Sequence, residues 1–425
     1  MKRKIIKVLL LILYPALLFV STHFGDRNDL SIILVVATLL PLYFYFLKDV
    51  ISSFQNQFYL LLSYGIILRL VVVGSPALWS DDIYRYLFDA KICLEGISPY
   101  RYTPEGFVKL GAGLNLGLES FLSKMNSPNY YSVYPVFIQW FFSLGTILGN
   151  AFGSVFLGIQ LLFFGLDILN LLLIRKLYPE SSNLSYWLYF GNPVVIFEGI
   201  SQMHPEILLV TGCLLLFLSR SIPFILSSFF LLTQLKFNAF LFVLGIKWNR
   251  KTIVSLFLIF ILSLGLWKVT VFSDLVLQGS AGLGLFFHSF RFAGILEPIF
   301  YFLLSLFRAE YLSGVISFAV VSILYFFCFQ KKIYWSLNLP SRFFIIYSLF
   351  LLFSPVVHPW YWIPWVLFVM GMEKKEGLVS VVSFIAFLSY GLYVYKDFVY
   401  FHWVVSVFVL GFYGFKQINY LRKTT

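Results

Sequence analysis

Long apolar blocks separated by short polar turns dominate the chain. They run over 5–22, 30–47, 58–76, 133–149, 153–174, 185–200, 206–220, 222–246, 252–273, 292–307, 312–329, 343–371, 378–395 and 398–415. A helix needs about 20 mostly apolar residues to span a bilayer, so the pattern predicts an all-α, polytopic integral membrane protein, a helical bundle of about 11–14 membrane helices. Three blocks are irregular. The 206–220 block is short, the 222–246 block is interrupted by Gln234, Lys236 and Asn238, and the 343–371 block contains Pro355, Pro359 and Pro364. Broken helices at membrane depth are tolerated where they line a polar cavity. We expect one multi-span domain over 1–425, with 77–132 as a long hydrophilic loop inside it.

Composition narrows the class further. Of 425 residues, 60% are hydrophobic, 21% aromatic and only 12% charged, about half the ~25% charge of a soluble domain. This excludes a water-soluble globule and a disordered chain. Lys and Arg outnumber Asp and Glu by 31 to 19, a net charge of +12. The bases sit in short clusters between blocks: Lys2, Arg3, Lys4 and Lys7; Arg175 and Lys176; Lys247, Arg250 and Lys251; Lys331 and Lys332; Arg422 and Lys423. That is the positive-inside pattern of cytoplasmic loops, and no nucleic-acid partner is expected from it. The basic, apolar start lacks a small-residue cleavage site and reads as an uncleaved first span. Charge places residue 1 inside and 77–132 outside. Arg175 and Lys176 then conflict, so either 133–149 or 153–174 is re-entrant or the rule fails there. From the other end, Lys331 and Lys332 inside put His358 outside and the Glu373–Lys374–Lys375–Glu376 turn and the C-terminus inside. Cys93, Cys213 and Cys328 show no paired spacing, so neither a disulfide framework nor a zinc site is indicated. No internal repeat marks the chain as a transporter.

The 77–132 segment carries the chemistry. Six of the 19 acids are here: Asp81, Asp82, Asp89, Glu95, Glu105 and Glu119. Ser80 before Asp81 and Asp82 signals a helix start, and Gly96, Ser98 and Pro99 signal its end. Positions three, four and seven apart share a helical face, so Asp82, Arg85, Tyr86 and Asp89 point the same way. Such a cluster can hold a sugar hydroxyl, take its proton or bind a cation. An ion-pair ladder, with Arg85 bridging Asp82 and Asp89, fits the same spacing and contributes little.

The stretch from Ser80 to Pro104 resembles the first external loop of the polyprenol-phosphate-mannose-dependent mannosyltransferases of the GT-C class, including glycosyltransferase family 87 and the GPI-type enzymes. The family pattern is Ser-x-Asp, aromatic-Arg-Tyr, Trp-Asp-Gly and Gly-x-Asn-Pro-Tyr. Here it reads Ser80-x-Asp82, Tyr84–Arg85–Tyr86, Phe88–Asp89–Ala90 and Gly96–Ile97–Ser98–Pro99–Tyr100, departing at Phe88, Ala90 and Ser98. Weaker echoes follow at Tyr134–Pro135, Gly191–Asn192–Pro193 through Glu198, Met203–His204–Pro205–Glu206, Leu235–Lys236, and Ser354–Pro355 with His358–Pro359–Trp360–Tyr361–Trp362.

The resemblance implies a GT-C-like fold and an inverting sugar transfer from a polyprenyl-phosphate donor, of mannose or another hexose. The acceptor would be a glycan or lipid on the outer, periplasmic face of a bacterial cytoplasmic membrane. It implies Asp82 as catalytic base, with Asp81 as rival and Asp89 orienting the acceptor or Arg85. A phosphate leaving group needs no general acid but does need positive charge; Lys236, Arg291 and His358 are candidates. An intramembrane Lys is costly enough to suggest function, although Lys236 can also snorkel and Arg291, after the Gly-rich segment Gly279–Phe290, can be a loop cation. His204 with Glu206 would bind sugar or phosphate, or form a satisfied interfacial pair. His358, Trp360, Tyr361 and Trp362 would shape the sugar site, or belong to the aromatic belt; Tyr100 and Tyr102 carry the same two readings, and Arg101 would bind substrate. Some relatives use a divalent metal; no constellation in this chain requires one. Two other functions compete: a transporter or flippase of lipid-linked glycans gated by Asp82, Arg85 and Asp89, and a membrane scaffold. Carboxylates gathered in one loop rather than at the bilayer midplane favour the enzyme.

Overall fold

The computed structural model describes residues 2–53, 57–111, 117–247, 249–267, 290–371 and 375–424. Among them the protein is all helical, and the pairings outside helices are isolated bridges from Phe292 and Ala293 to Val356. The helices are α1 (Lys2–His23), α2 (Leu30–Ser52), α3 (Phe58–Leu70), α4 (Asp82–Leu94), α5 (Pro104–Lys109), α6 (Glu119–Leu122), α7 (Val136–Ala151), α8 (Val155–Leu177), α9 (Asn183–Phe190), α10 (Pro193–Ile196), α11 (Glu206–Leu218), α12 (Ile222–Leu235) and α13 (Arg250–Trp267). After them come α14 (Glu297–Ser305), α15 (Ser313–Gln330), α16 (Lys332–Ser336), α17 (Leu339–Phe353), α18 (Trp362–Phe368), α19 (Glu376–Leu388), α20 (Gly391–Val394) and α21 (Phe398–Thr424). Five stretches are long and apolar enough to cross a bilayer: Ile5–His23, Leu30–Ser52, Val155–Leu177, Glu310–Gln330 and Glu376–Val394. Pro193–Ser201 with Glu206–Leu218 makes a sixth if the broken pair is one span, and shorter apolar helices accompany them. The chain is a polytopic helical membrane protein. The Gly-rich run before Phe290, and Glu373 and Lys374 of the expected inside turn, lie outside the described residues.

Two compact units make up the chain. The first holds Met1–Val72, Glu180–Glu198 and His288–Thr425; the second holds Val73–Pro179 and Gly199–Phe287. In the first, α2 packs against α1 and α19. Trp187 of α9 is stacked between Phe44 and Tyr64. Arg69 of α3 is fully buried, which apolar surroundings permit only for a paired cation. Its Nη1 donates to the carbonyls of Phe190 at 2.7 Å and Gly65 at 2.9 Å, and its guanidinium lies 3.5 Å from the Phe190 ring centroid.

The second unit is built on two antiparallel helical hairpins. In one, α7 crosses α8 through glycine. A Cβ on Gly158 would fall 2.2 Å from Gly149 N and 2.4 Å from Gly145 O, so only hydrogen fits. Small residues are what let helices approach closely in lipid, where no hydrophobic force drives them together. With 16 residues, α7 is about 24 Å long at 1.5 Å per residue. In the other hairpin α11 returns as α12, and a Cβ on Gly212 would meet Leu232 at 2.6 Å. Polar side chains tie the helices: Thr211 Oγ1 donates to Asn170 Oδ1 at 2.7 Å, and Gln234 Nε2 to Ser263 Oγ at 3.0 Å.

The hydrophilic segment is folded around an apolar centre of its own. Phe88 and Ile92 of α4 pack with Phe107 of α5, Leu118 and Met125, while the opposite side of α4 rests on α7, where Tyr86 stacks on Phe142 at 4.3 Å. Burying such side chains contributes about 1.5–3 kcal/mol each. That is enough to hold a short segment in one arrangement and so to fix what it carries.

Candidate active site

The chain reaches α4 through residues 74–81, which the second unit pins from several sides. Gln160 of α8 accepts from Gly74 N at 2.7 Å and donates to Ser75 O at 2.9 Å. The hydroxyls of Ser75 and Ser201 lie 2.8 Å apart, and Trp79 N donates to Gln202 Oε1 at 3.0 Å. Gly74 supplies the turn with φ +86°, a backbone state natural to glycine. The helix then starts at Asp82, whose amide donates to Ser80 Oγ at 3.3 Å. Asp81 precedes it as cap residue but makes no side-chain cap bond.

Along α4 the expected ladder is only half made. Arg85 Nε donates to Asp89 Oδ1 at 2.9 Å, but its Nη1 turns to the carbonyls of Ser127 at 3.1 Å and Tyr130 at 2.7 Å. The reason is the 126–132 return, which offers backbone acceptors that outcompete a second carboxylate. Asp89 is buried and also accepts from Gln139 Nε2 of α7 at 3.2 Å. Burial pushes its carboxyl up, and Arg85, Ser132 and Gln139 pull it back. The Arg85–Asp89 pair therefore fastens α4 to α7 and to the 126–132 return.

Asp82 is left clear of that guanidinium. Asn126 Nδ2 donates to its Oδ1 at 3.2 Å. Burial pushes its carboxyl up to about 6; the Asn126 bond lowers it, Asp81 raises it, and the more distant Lys236 and Glu206 lower and raise it respectively. A carboxyl poised near neutral pH is the usual property of a general base, and strongly perturbed values gather at functional sites.

The second expected group is brought together in the same unit. After the π-helical turn Phe197–Ser201 the chain breaks, and Met203 takes φ +61°, the left-handed region that side-chain-bearing residues rarely occupy and that clusters at functional sites. His204 follows, fully buried. Glu206 opens α11, fully buried, and pairs through Oε1 with Lys236 Nζ; its Oε2 is buried without a partner. Lys236 keeps 24% side-chain exposure. It stands where α12 ends, its backbone extended at φ −155° and ψ 137°.

Of the remaining expected residues, Tyr100 and Arg101 belong to the second unit, and Arg291, His358, Tyr361 and Trp362 to the first. Tyr100 is buried and donates to Tyr134 O at 2.7 Å, whereas Arg101 is exposed beside the Tyr102 ring. In the first unit, Arg291 binds Glu297 at 2.6 Å and lies 3.5 Å from the Tyr301 ring centroid, with 32% exposure. The His358 ring is stacked between Phe292 at 4.6 Å and Trp360 at 4.4 Å, so both its faces are covered. Tyr361 meets His358 edge-on, and Trp362 is buried against Trp365. Two residues that sequence reasoning did not single out matter here, Asn126 and Gln139; Met203 entered it only as the head of the Met203–His204–Pro205–Glu206 echo. Among the described residues no group of three or more His, Cys, Asp or Glu is placed to hold a metal ion.

A family profile for the N-terminal domain of alpha-(1->6)-mannopyranosyltransferases matches residues 27–262, a stretch that includes α4, Asn126, Glu206 and Lys236. No curated protein and no solved structure matches the chain. The profile covers more than half of the 425 residues. With the bilayer-crossing helices and the carboxylate-bearing segment, it places the chain in the alpha-(1->6)-mannopyranosyltransferase family: it is a membrane mannosyltransferase, acting on a sugar donor and a glycan acceptor.

Proposed function

We propose that this enzyme moves mannose from a polyprenyl-phosphate donor to the 6-hydroxyl of an acceptor glycan on the outer face of a bacterial cytoplasmic membrane, by in-line displacement with inversion. The observation that carries this is the state of Asp82, bonded to neutral Asn126 rather than to Arg85 and poised at about 6. The ionised carboxylate accepts the proton of the acceptor hydroxyl. The freed oxygen forms a bond to the anomeric carbon as the carbon–phosphate oxygen bond breaks. The polyprenyl phosphate leaves with that electron pair and carries its own charge, so it needs no proton from the enzyme. Lys236 is the cation we assign to the developing phosphate charge, with Glu206 fixing where its ammonium stands. Donors aimed at developing charge are typically the largest single contribution to catalysis. An α product formed by inversion requires a donor of β configuration.

The test is an incubation of purified protein with a panel of radiolabelled polyprenyl-phosphate sugars and an oligomannoside acceptor, with NMR of the product linkage. Transfer from the mannosyl donor, giving an α-(1→6) product and lowered by about 10²–10⁴ in Asp82→Asn, is expected. Undiminished transfer by Asp82→Asn would remove Asp82 from the base role. No transfer from any donor by demonstrably folded protein would return the chain to the transport reading.

A further inference from the structure

The α11–α12 hairpin has two ends. At one, Glu206 meets Lys236. The other is the tight turn at Ser219–Ser221, to which the chain returns after Lys236 through a 3-10 stretch at Phe237–Gly245 and from which α13 departs. Beside this second end is a cavity of about 190 Å³. Its walls are mostly apolar, with Ile222, Ile225 and Phe229 of α12, Ile246 of the return, and Leu256 and Ile259 of α13, and Ser255 the polar exception. Its rim is polar, with Asn249, Lys251 and Thr252. Arg220, Lys247 and Arg250, all exposed, belong to the same turn and return. Four cations thus gather where the sequence holds no acidic residue between Glu206 and Asp274. Asn249 does not offset them: its Oδ1 accepts from Thr252 N at 2.9 Å and Thr252 Oγ1 at 3.1 Å, capping α13.

We propose that this crevice holds one anionic phospholipid, with an acyl segment in the apolar cavity and the phosphate among Arg220, Lys247, Arg250 and Lys251. Volume and lining select the tail: a cavity of about 150 Å³ lined by apolar side chains accommodates benzene, so this one accommodates a run of about six chain carbons. Charge selects the head, since clustered Lys and Arg beside a membrane helix attract anionic lipid. Surroundings select a lipid over a soluble ligand. Phe224 is 70% and Phe257 62% exposed on the two helices that frame the cavity, which is how bilayer-facing side chains present themselves. The site is separate from the one assigned to the donor phosphate. The 14 residues of α12 put about 20 Å between its ends, and Lys236 is at the far one.

The test is native mass spectrometry of the full-length protein, delipidated in detergent and re-exposed to phosphatidylglycerol, phosphatidylcholine, polyprenyl phosphate or inorganic phosphate. One copy of phosphatidylglycerol should be retained about tenfold better than phosphatidylcholine. That preference should vanish in the Arg220→Gln, Lys247→Gln, Arg250→Gln, Lys251→Gln variant, whose changes are all at exposed positions. Ile225→Trp, which fills the cavity and leaves the charges, should abolish retention too; if it does not fold, the charge variant decides alone. Equal retention of both lipids, unchanged retention in the charge variant, displacement by inorganic phosphate, or displacement by polyprenyl phosphate would each overturn the proposal.

Discussion

The side-chain amide of Asn126 donates to Oδ1 of Asp82 at 3.2 Å, across 44 positions of sequence, while Arg85, on the next turn of the same helix, gives its guanidinium to Asp89 and to backbone carbonyls instead. A carboxylate neutralised by a guanidinium is a weak base, because the opposite charge favours its ionised form. Holding Asp82 with a neutral amide keeps it oriented without that loss.

Asp82→Asn should lower transfer by about 10²–10⁴, the usual worth of a general base, with donor binding unchanged. In the wild-type enzyme kcat/KM should fall with unit slope below about pH 6, since the base must be ionised. Stability runs the other way. Burial raises Asp82 above the ordinary carboxylate value, so the folded state holds its proton more tightly than the unfolded chain. That contribution is present at acid pH and lost as the pH rises through about 6. At neutral pH the Asn variant should therefore melt a few degrees higher than wild type while losing most of its activity.

Asn126→Ala removes the bond that opposes burial at Asp82. The acid limb of the kcat/KM profile should move to higher pH, with the plateau reached at alkaline pH less affected than the rate at pH 6. An unmoved midpoint would mean that Asn126 does not set the ionisation of Asp82.

Lys236 and Glu206 separate a structural from a chemical role. Lys236→Met leaves the carboxylate of Glu206 buried without its cation, a change that typically costs about 3–5 kcal/mol. Glu206→Gln removes the buried charge and leaves only a partly exposed ammonium, so it should cost much less by thermal unfolding in detergent. The double variant should regain stability relative to Lys236→Met yet stay defective in transfer. Recovery of activity along with stability would confine Lys236 to packing.

Gly158→Ala should loosen the α7–α8 crossing, since its Cβ would sit against the backbone of Gly149 and Gly145. Overpacking of this kind costs about 1–3 kcal/mol. Gly165→Ala, on the same helix with nothing within 4 Å of its Cβ, is the control; it should be neutral or raise the melting temperature slightly, since Ala is the better helix former.

Periodicity and block length made the helices legible, including the two places where polar residues or prolines interrupt an apolar run. The 222–246 block does break at Lys236, and the 343–371 block breaks between Ser354 and the turn at Pro359. The start of α4 at Asp82 was equally plain from Ser80 and the paired aspartates. What spacing could not reveal is where a long side chain finds its partner. Arg85 could be read as bridging two carboxylates because both share its face; the carbonyls of Ser127 and Tyr130, some 42 and 45 residues away, decide otherwise. Asn126 and Gln139 were invisible for the same reason. Arg69 lies inside the 58–76 apolar block with no partner visible in the sequence, and only tertiary packing reveals that Phe190 closes over it.

The apolar centre formed by Phe88, Ile92, Phe107, Leu118 and Met125 divides labour within the hydrophilic segment. Because these side chains satisfy one another, the rim beside them, where Arg101, Glu105 and Lys109 face water, can be rewritten without disturbing the footing of Asp82. In the proposed enzyme, a new glycan preference can thus be acquired by substitution at the rim alone, while the proposed base beneath it is inherited intact.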